Sequence, residues 1–374
     1  MRAFATRCVH SGESPDPSTG AHGVPLYQNV TYAFDRYDDL LAMRAGDLTH
    51  LSYHPRGNPT VRALEAKVAD LEGAESCIAL NSGMAAISGA IMALVGRGGH
   101  LVASSQIYDL TREFVQEILP QFGCSVSLVD INDPDAIADA ITPETRAIYA
   151  EPVSNPCLQM TDLAMVARVA NAHDVPLAVD NTFLSPALLR PIELGATVVI
   201  HSATKYLSGN GQAQGGVVSG PAEVTEKVRE QVQLWGTVMP AFSAWVILSG
   251  IHTLALRMER HSANALEVAR YLQTRPEIES VIYPGLASHG DADQAGDAGM
   301  PSAFGGMITF TLRQPERTGA FIDLLQVCTL ATSLGETSTL IWPWTYGGLI
   351  RISTGLEDAQ DLIADFAQAL DAIA

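Results

Sequence analysis

Lysine is scarce in this sequence. Its 374 residues include 22 basic side chains, of which only three are lysine: Lys67, Lys205 and Lys227. Any chemistry that needs a primary amine from this chain must therefore use one of these three or the N-terminus. Lys67 lies in an amphipathic helical pattern and Lys227 lies among charged residues, so we expect both on solvent-exposed helix faces. Lys205 follows a buried-strand pattern, which makes it the candidate for chemistry.

Basic charge is also low as a whole. The chain has 41 acidic and 22 basic residues, which gives a formal net charge of −19. A protein this acidic repels a phosphate backbone, so the charge argues against nucleic acid as a partner. Apolar residues make up 47% of the chain and charged residues 17%, which excludes a disordered chain.

Several targeting and metal-binding patterns are absent. The N-terminal segment has no apolar signal-peptide core, and no apolar run reaches the length of about 18 residues that a membrane-spanning helix needs. The five cysteines are scattered without a CxxC pair, and the ten histidines form no HExxH. These absences predict a cytoplasmic protein with reduced thiols, no metal site and no membrane partner.

Between about residues 60 and 205, short apolar runs alternate with helical patterns. Strands are predicted at 75–83, 100–105, 124–130, 146–153, 176–182 and 196–205. Helices are predicted between them at 60–73, 84–95, 112–122 and 163–174. This alternation predicts an α/β fold with a mostly parallel sheet covered on both faces. Because ligands bind at the carboxyl ends of such strands, we expect the functional residues there.

The pattern changes after about residue 245. A long helical stretch over 244–273 leads into strands near 282–285 and 305–312, and a helix over 357–374 follows them. We therefore divide the chain into an irregular N-terminal arm (1–50), a large ligand-binding domain (51–244) and a smaller α/β domain (245–374).

Two predicted strand ends carry groups suited to an aldehyde cofactor. A lysine that is desolvated at a strand end can lose its proton and form a Schiff base, and Lys205 has that placement. Asp180 ends another apolar run, where it would pair with a cation such as a pyridinium nitrogen. The simpler alternative for Asp180 is a turn cap beside Asn181 and Thr182.

A third strand end has the features of a phosphate site. NSGM (81–84) joins a strand to a helix, so its backbone N–H groups and the helix dipole favour an anion. Ser202 and Thr204 would add hydroxyl donors. The alternative is an ordinary strand-to-helix turn.

Two further residues suit ring stacking and carboxylate binding. Tyr108 either stacks on a flat ring or is simply a tyrosine of the core or of the rim. The planar fork of Arg351 suits a substrate carboxylate. Its alternative partner is Glu357 or Asp358.

These residues resemble the Cys/Met-metabolism family of pyridoxal-phosphate (PLP) enzymes. That family includes cystathionine γ-synthase, cystathionine β- and γ-lyases, methionine γ-lyase and O-acylhomoserine sulfhydrylases. The resemblance covers nearly the whole chain and is most specific in HSATKYLSG (201–209). It extends through GAHGVPLYQNVTYAF (20–34), GNPT (57–60), NSGMAAI (81–87), EPVSNP (151–156), VDNTF (179–183), SLGETSTL (333–340) and IRISTGLED (350–358).

The resemblance implies a PLP-dependent transferase fold of type I, like that of aspartate aminotransferase, with a seven-stranded sheet in the large domain. It implies that Lys205 carries the cofactor as an internal aldimine, that Asp180 pairs with the pyridine nitrogen, and that Tyr108 stacks on the ring and assists proton transfer. The phosphate ligands that it implies are Ser82, Gly83, Met84, Ser202 and Thr204.

The resemblance also implies a substrate site and an oligomer. Asn155 would bind the cofactor's phenolic oxygen side or the substrate carboxylate. The carboxylate would be bound by Arg351, Ser333 and Thr332. Tyr53 is similar to a tyrosine that reaches a neighbouring subunit's phosphate, which implies a homotetramer built as a dimer of dimers with shared active sites.

Several positions depart from the family pattern. Pro55 stands where the family has an arginine, and Arg56 follows one place later, so its contact with the phosphate stays open. The usual Gly-Gly after Tyr108 is Asp109-Leu110, so the cysteine typical of methionine γ-lyases is absent. Thr332 stands where cystathionine γ-lyases tend to carry glutamate.

The segment between SLGETSTL and Arg351 departs most. It is only IWPWTYGGLI (341–350), whereas family members usually have a longer stretch. We interpret Trp342, Pro343, Trp344 and Tyr346 as a reshaped, more apolar substrate entrance. A harmless loop deletion is the alternative.

Together these features predict γ-elimination from a γ-substituted L-amino acid through a vinylglycine-type quinonoid intermediate. The leaving group would be a halide, an acyl-oxy group or a thiol. A γ-replacement enzyme of the cystathionine γ-synthase or O-acylhomoserine sulfhydrylase type is the first alternative. A non-catalytic α/β metabolite-binding protein is the second.

Overall fold

The structure, a computed structural model, describes residues 2–47, 50–54, 57–289, 300–344 and 348–374. The helices within these residues are α1 (Phe4–His10), α2 (Tyr37–Arg44), α3 (Pro59–Glu72), α4 (Gly83–Val95), α5 (Asp109–Glu113), α6 (Pro134–Ala140), α7 (Leu163–Ala172), α8 (Ser185–Leu188), α9 (Ala222–Trp235), α10 (Ala241–Ile251), α11 (Leu254–Gln273), α12 (Thr318–Asp323) and α13 (Ala359–Ile373). The strands are β1 (Ser76–Leu80), β2 (His100–Ser104), β3 (Ser125–Val129), β4 (Thr145–Ala150), β5 (Leu177–Asp180), β6 (Val198–His201), β7 (Gly216–Gly220), β8 (Ile278–Ile282), β9 (Met307–Leu312), β10 (Thr329–Leu330), β11 (Leu340–Pro343) and β12 (Leu349–Ser353).

The large sheet has seven strands in the order β1-β7-β6-β5-β4-β2-β3. Strand β7 runs antiparallel to both of its neighbours, while the pairs β6–β5, β5–β4, β4–β2 and β2–β3 are parallel. The predicted α/β fold with a mostly parallel sheet is therefore confirmed. Asp180 lies opposite Ile200 in the β5–β6 register, so the end of β5 adjoins the turn that follows β6.

Helices cover both faces of this sheet, which explains why its strands are continuous apolar runs. Alternate residues of one strand belong to different cores: in β1, Cys77 packs in one cluster and Ile78 in the other. Helix α4 packs in the cluster that contains Ile78, while α3 and α7 pack in the opposite one.

The second sheet has five strands in the order β10-β11-β12-β9-β8, and only β10 and β11 pair in parallel. The first of these strands along the chain, β8, ends at Ile282, because Tyr283 starts a turn. The sequence pattern had placed the start of a strand there instead. Along the chain, all strands of the large sheet precede residue 244 and all strands of the second sheet follow it. The exact domain boundaries at 50 and 244 stay predictions.

The long helix predicted over 244–273 is two helices, α10 and α11, that meet at an angle of 65°. Within the described ranges, no single helix is both long and apolar enough to cross a membrane, and only this bent pair meets the length and composition limits together.

The prediction of an irregular arm over 1–50 is wrong in two places, since α1 and α2 form there. Both helices are too short for a hydrophobic period to show in the sequence. Helix α1 packs against α3 and α11 and completely buries the side chain of Cys8.

The expected solvent exposure of Lys67 is also wrong, and α1 is the reason. Lys67 is fully buried; its Nζ donates to the Cys8 carbonyl at 2.7 Å and pairs with Glu13 Oε1 at 2.8 Å. The N-terminal segment thus covers the polar side of α3. Lys227 is exposed, as predicted, and pairs with Glu223 at 2.8 Å one helical turn away.

These two lysines give a matched test of burial. We expect Lys67→Met to lower the free energy of unfolding by about 3 kcal/mol, because Glu13 loses a partner within the protein. We expect Lys227→Met to leave it almost unchanged, because exposed pairs contribute little. Urea denaturation of both variants measures this difference, and equal midpoints would contradict a stabilising contribution from the buried contacts of Lys67.

Candidate functional site

A cavity of about 600 Å³ opens at the carboxyl ends of the strands in the large sheet. It brings together most of the residues that the sequence analysis selected. Those that line it are Ser82, Gly83, Met84, Tyr108, Asn155, Asp180, Ser202, Thr204, Lys205, Thr332, Ser333 and Arg351.

Two of the selected residues are not in that lining. Tyr53 lies outside the cavity, 49% exposed, and forms an isolated β-bridge with Thr31. Arg56 lies outside the described residues, as do its neighbour Pro55 and Tyr346 of the predicted entrance.

The start of α4 and the turn after β6 meet closely at one end of the cavity. Ser82 caps α4 by accepting the Ala85 N–H at 3.1 Å. A Cβ added to Gly83 would lie only 2.6 Å from Ser202 Oγ, so the contact requires glycine. The hydroxyl of Thr204 is used locally, since it accepts the Gly215 N–H at 3.1 Å. The free N–H groups of α4 and the Ser202 hydroxyl together form a cradle for an anion.

Lys205 presents its amine in this cavity. Its Nζ lies 2.8 Å from Ser333 Oγ. Burial lowers the pKa of Lys205 to about 8, and the nearby Arg351 charge acts in the same direction. At neutral pH about a tenth of this amine is therefore neutral and nucleophilic, far more than for a lysine with an ordinary pKa.

Ser333 connects Lys205 to Arg351. Its carbonyl accepts from Arg351 Nη2 at 3.2 Å, while its hydroxyl accepts from the lysine. The backbone φ of Ser333 is +86°, in the left-handed region that disfavours a side chain. Such a conformation persists where surrounding contacts hold it, and the bonds to Lys205 and Arg351 are two such contacts.

Arg351 is buried, and no carboxylate among the described residues forms an ion pair with it. Its Nη1 donates to Asn155 Oδ1 at 2.9 Å, and its guanidinium lies 5.9 Å from the centre of the Trp344 ring. The alternative of an ion pair with Glu357 or Asp358 is wrong: Glu357 bonds to Thr339 and Asp358 caps α13. An incoming carboxylate would supply the missing charge.

Asp180 ends β5 and is buried. Its Oδ1 accepts the Thr182 N–H at 3.0 Å and the Thr182 hydroxyl at 2.5 Å, and Tyr149 approaches its Oδ2 at 3.4 Å. Burial raises the pKa of Asp180, whereas the Thr182 bonds oppose that rise. The two bonds from Thr182 are those of the turn cap that was the alternative role for Asp180. The carboxylate nevertheless has no ion pair with any described side chain.

Tyr108 belongs to the cavity wall rather than to the core. It is 37% exposed and immediately precedes α5, and burial of its hydroxyl raises its pKa. The core alternative for Tyr108 is therefore wrong, whereas a place at the rim fits this exposure.

Several other residues also line the cavity but were not predicted as site residues. They are Ile87, Asp109, Leu110, Glu151, Val153, Thr182, Phe183, Gln214, Leu334, Trp342 and Trp344, of which only Asp109, Leu110 and the two tryptophans were noted as departures. Glu151 carried a usable signal, because an acidic residue follows the apolar strand β4 just as Asp180 ends β5.

Comparisons with known proteins agree with this geometry. The family model for Cys/Met metabolism PLP-dependent enzymes matches residues 5–346. L-Methionine gamma-lyase of Pseudomonas putida is 39% identical, with 100% of this chain and 98% of that protein covered. Cystathionine gamma-lyase of Bacillus subtilis is 38% identical over 98% of this chain and 99% of its own length.

A third relative and a solved structure also match the chain. O-Succinylhomoserine sulfhydrylase of Pseudomonas aeruginosa is 37% identical over 99% of this chain and 96% of that protein. The crystal structure of metB from Corynebacterium glutamicum superimposes with a TM-score of 0.92 at 32% identity and covers 100% of this chain and 99% of its own. The strand order, the buried amine and these matches together make the chain a member of the Cys/Met metabolism family of PLP-dependent enzymes.

Proposed function

We propose that this enzyme catalyses γ-elimination from a γ-substituted L-amino acid, with pyridoxal phosphate bound through Lys205. One observation carries the proposal: an amine of lowered pKa, a buried carboxylate and a buried arginine that has no ion pair with a described side chain share one cavity. These are the groups that must hold the cofactor's aldehyde, its ring nitrogen and the substrate carboxylate.

The residues of the cavity fit the cofactor at its phosphate and at its ring. The cradle at Gly83 and Ser202 suits the phosphate, because a Cβ at Gly83 would fill it. Asp180 offers a buried negative charge to the ring nitrogen, and Tyr108 offers a ring to stack on. When bound, pyridoxal phosphate serves as an electron sink for the carbanion formed at Cα.

The remaining residues orient the substrate and move its protons. Arg351 binds the α-carboxylate through its planar fork, and Asn155 fixes the guanidinium at 2.9 Å. Lys205 would take the Cα proton and then a Cβ proton, so that the electron pair left at Cβ expels the γ-substituent. Tyr108, at the wall, donates a proton to the departing γ-substituent.

The charges of the wall support an uncharged γ-substituent. Lys205 and Arg351 are the only lysine and arginine among the described lining residues, and both already have roles. Asp109 adds a negative charge, while Leu110, Trp342 and Trp344 add apolar surface. A second carboxylate on the substituent, as in a succinyl ester, would meet repulsion and no free cation.

We also propose a cytoplasmic homotetramer assembled as a dimer of dimers. Tyr53 is exposed, so it is accessible to a neighbouring subunit. Trp235, Phe242 and Trp245 expose aromatic surface on α9 and α10, which supports burial against another copy.

A substrate panel tests the proposed reaction. We expect L-methionine and O-acetyl-L-homoserine to yield ammonia and a 2-oxo acid without any added thiol. We expect O-succinyl-L-homoserine and L-cystathionine to react with a kcat/KM at least about tenfold lower, because each carries a further charged group into the wall. Retention of all the amino nitrogen in thioether products, with no 2-oxo acid under any condition, would instead establish γ-replacement.

A further inference from the structure

Glu151 is a buried acid at the cavity that the proposed reaction does not use. It directly follows β4 and is 7% exposed. Its Oε1 accepts the backbone N–H of Tyr108 at 2.8 Å, and its own carbonyl accepts the Thr161 hydroxyl at 2.7 Å. Its Oε2 has no hydrogen bond to any described residue, although the side chain lines the cavity.

The Tyr108 contact joins two neighbouring parts of the site. Tyr108 is the residue before α5, and its own side chain makes no capping hydrogen bond to that helix. The hydrogen bond that Glu151 accepts from the Tyr108 N–H joins the turn between β2 and α5 to the end of β4. Any movement of this turn moves the tyrosine ring over the cavity.

The charges around Glu151 oppose its ionisation. Asp180 on β5 and Asp109 on α5 are both negative, while Arg112 is the basic group that acts on it. Burial and the Asp180 charge raise the pKa of Glu151 well above its usual range. Asp180 has two bonds from Thr182 that stabilise its anion, whereas Glu151 accepts a single N–H. Of these two acids, Asp180 therefore has the surroundings that favour the anion more, and Glu151 those that favour the proton.

We propose that Glu151 is a positioning residue whose carboxyl stays protonated beside Asp180 and fixes the backbone of Tyr108, so that the ring keeps its place over the cofactor. The proposal rests on the cofactor roles of Tyr108 and Asp180 given above. A neutral Glu151 leaves Asp180 as the single negative charge available to the ring nitrogen. Its O–H provides a donor at the cavity wall.

Three substitutions separate shape, charge and hydrogen bonding. Glu151→Gln keeps the acceptor for Tyr108 and is permanently neutral, so we expect kcat/KM within about threefold of the wild type. Glu151→Asp is too short to reach Tyr108, and Glu151→Ala lacks the acceptor. We expect both to lower kcat/KM by about 10- to 100-fold and to change the visible circular dichroism of the bound cofactor.

The stability of the cofactor-free protein gives a readout that needs no substrate. A raised pKa in the folded state means that the folded protein binds more protons, so wild-type stability falls as pH rises above the unfolded value. Glu151→Gln cannot ionise. The melting temperature of this variant relative to wild type should therefore increase between about pH 5 and about pH 8.

The possible outcomes separate this inference from the proposed reaction. A Glu151→Gln enzyme as impaired as Glu151→Ala, with a melting difference that does not change with pH, would mean that Glu151 acts as an anion and would overturn the proposal. Normal dichroism and activity in Glu151→Ala would overturn the positioning role. If the wild type turns over no member of the panel, the proposed reaction fails, while the pH dependence and the dichroism still test Glu151.

Discussion

Replacement of Lys205 by alanine should lower kcat/KM for every substrate by at least about a thousandfold, because a proton-transfer group and the covalent anchor are lost together. The same variant should form no borohydride-stable adduct with pyridoxal phosphate. Lys205 is one of only three lysines, so peptide mapping of the reduced wild-type protein identifies the anchor without ambiguity. Adduct retained in Lys205→Ala would contradict this assignment.

The exposed lysine provides the control. Lys227→Ala removes an amine of the same kind from the surface of α9, and it should leave both the adduct and the turnover unchanged. The pKa of Lys205 near 8 adds a pH test, since only the neutral amine attacks an aldehyde. The rate at which the cofactor-free protein captures pyridoxal phosphate should rise with pH up to about 8 and then level off. A capture rate that does not depend on pH would contradict a protonated resting amine.

Lys205 was predictable because its signal is local. A buried apolar run ends beside it, and parallel-sheet geometry gathers strand ends at one edge, so Asp180 and Gly83 could be assigned to the same place. Arg351 was predictable as a residue type, but its partner was not. Glu357 and Asp358 are near in sequence, yet the backbone of Thr339 and the start of α13 use their carboxylates.

For Lys67, the hydrophobic periodicity of the sequence gave a wrong prediction of solvent exposure. An amphipathic pattern identifies the apolar face of α3, but it cannot show that another part of the chain covers the polar face. That cover comes from α1 and Glu13, more than 50 residues earlier in the chain, and it is visible only in the folded structure.

The sequence pattern did not predict strand β7, because close packing places glycine in it. Its sequence, GVVSG, has glycine at both ends and looks like part of the preceding glycine-rich loop. A Cβ at Gly216 would lie 2.1 Å from the Ser82 carbonyl, so glycine is required by the close approach of α4. Patterns alone predicted six strands, and only the family resemblance implied the seventh.

Asp180→Asn should lower kcat by at least about a hundredfold, since it removes one charge and preserves shape. A carboxylate keeps a proton on the ring nitrogen, which the electron sink requires, whereas a neutral amide does not. The amide oxygen can still accept from Thr182, so the turn after β5 should persist. Steady-state kinetics and the pH titration of the bound cofactor's absorption measure the effect.

Stability distinguishes this loss from misfolding. Burial raises the pKa of Asp180, so the folded cofactor-free protein pays a free-energy cost for the charge as pH rises above the unfolded value. Asp180→Asn removes that cost, and the melting temperature of the cofactor-free variant should equal or exceed that of the wild type at neutral pH. With pyridoxal phosphate bound, the order should reverse, because only the wild type gains an ion pair. A variant that keeps wild-type kcat, or that gains as much stability from the cofactor, would show that the buried carboxylate of Asp180 serves the turn alone.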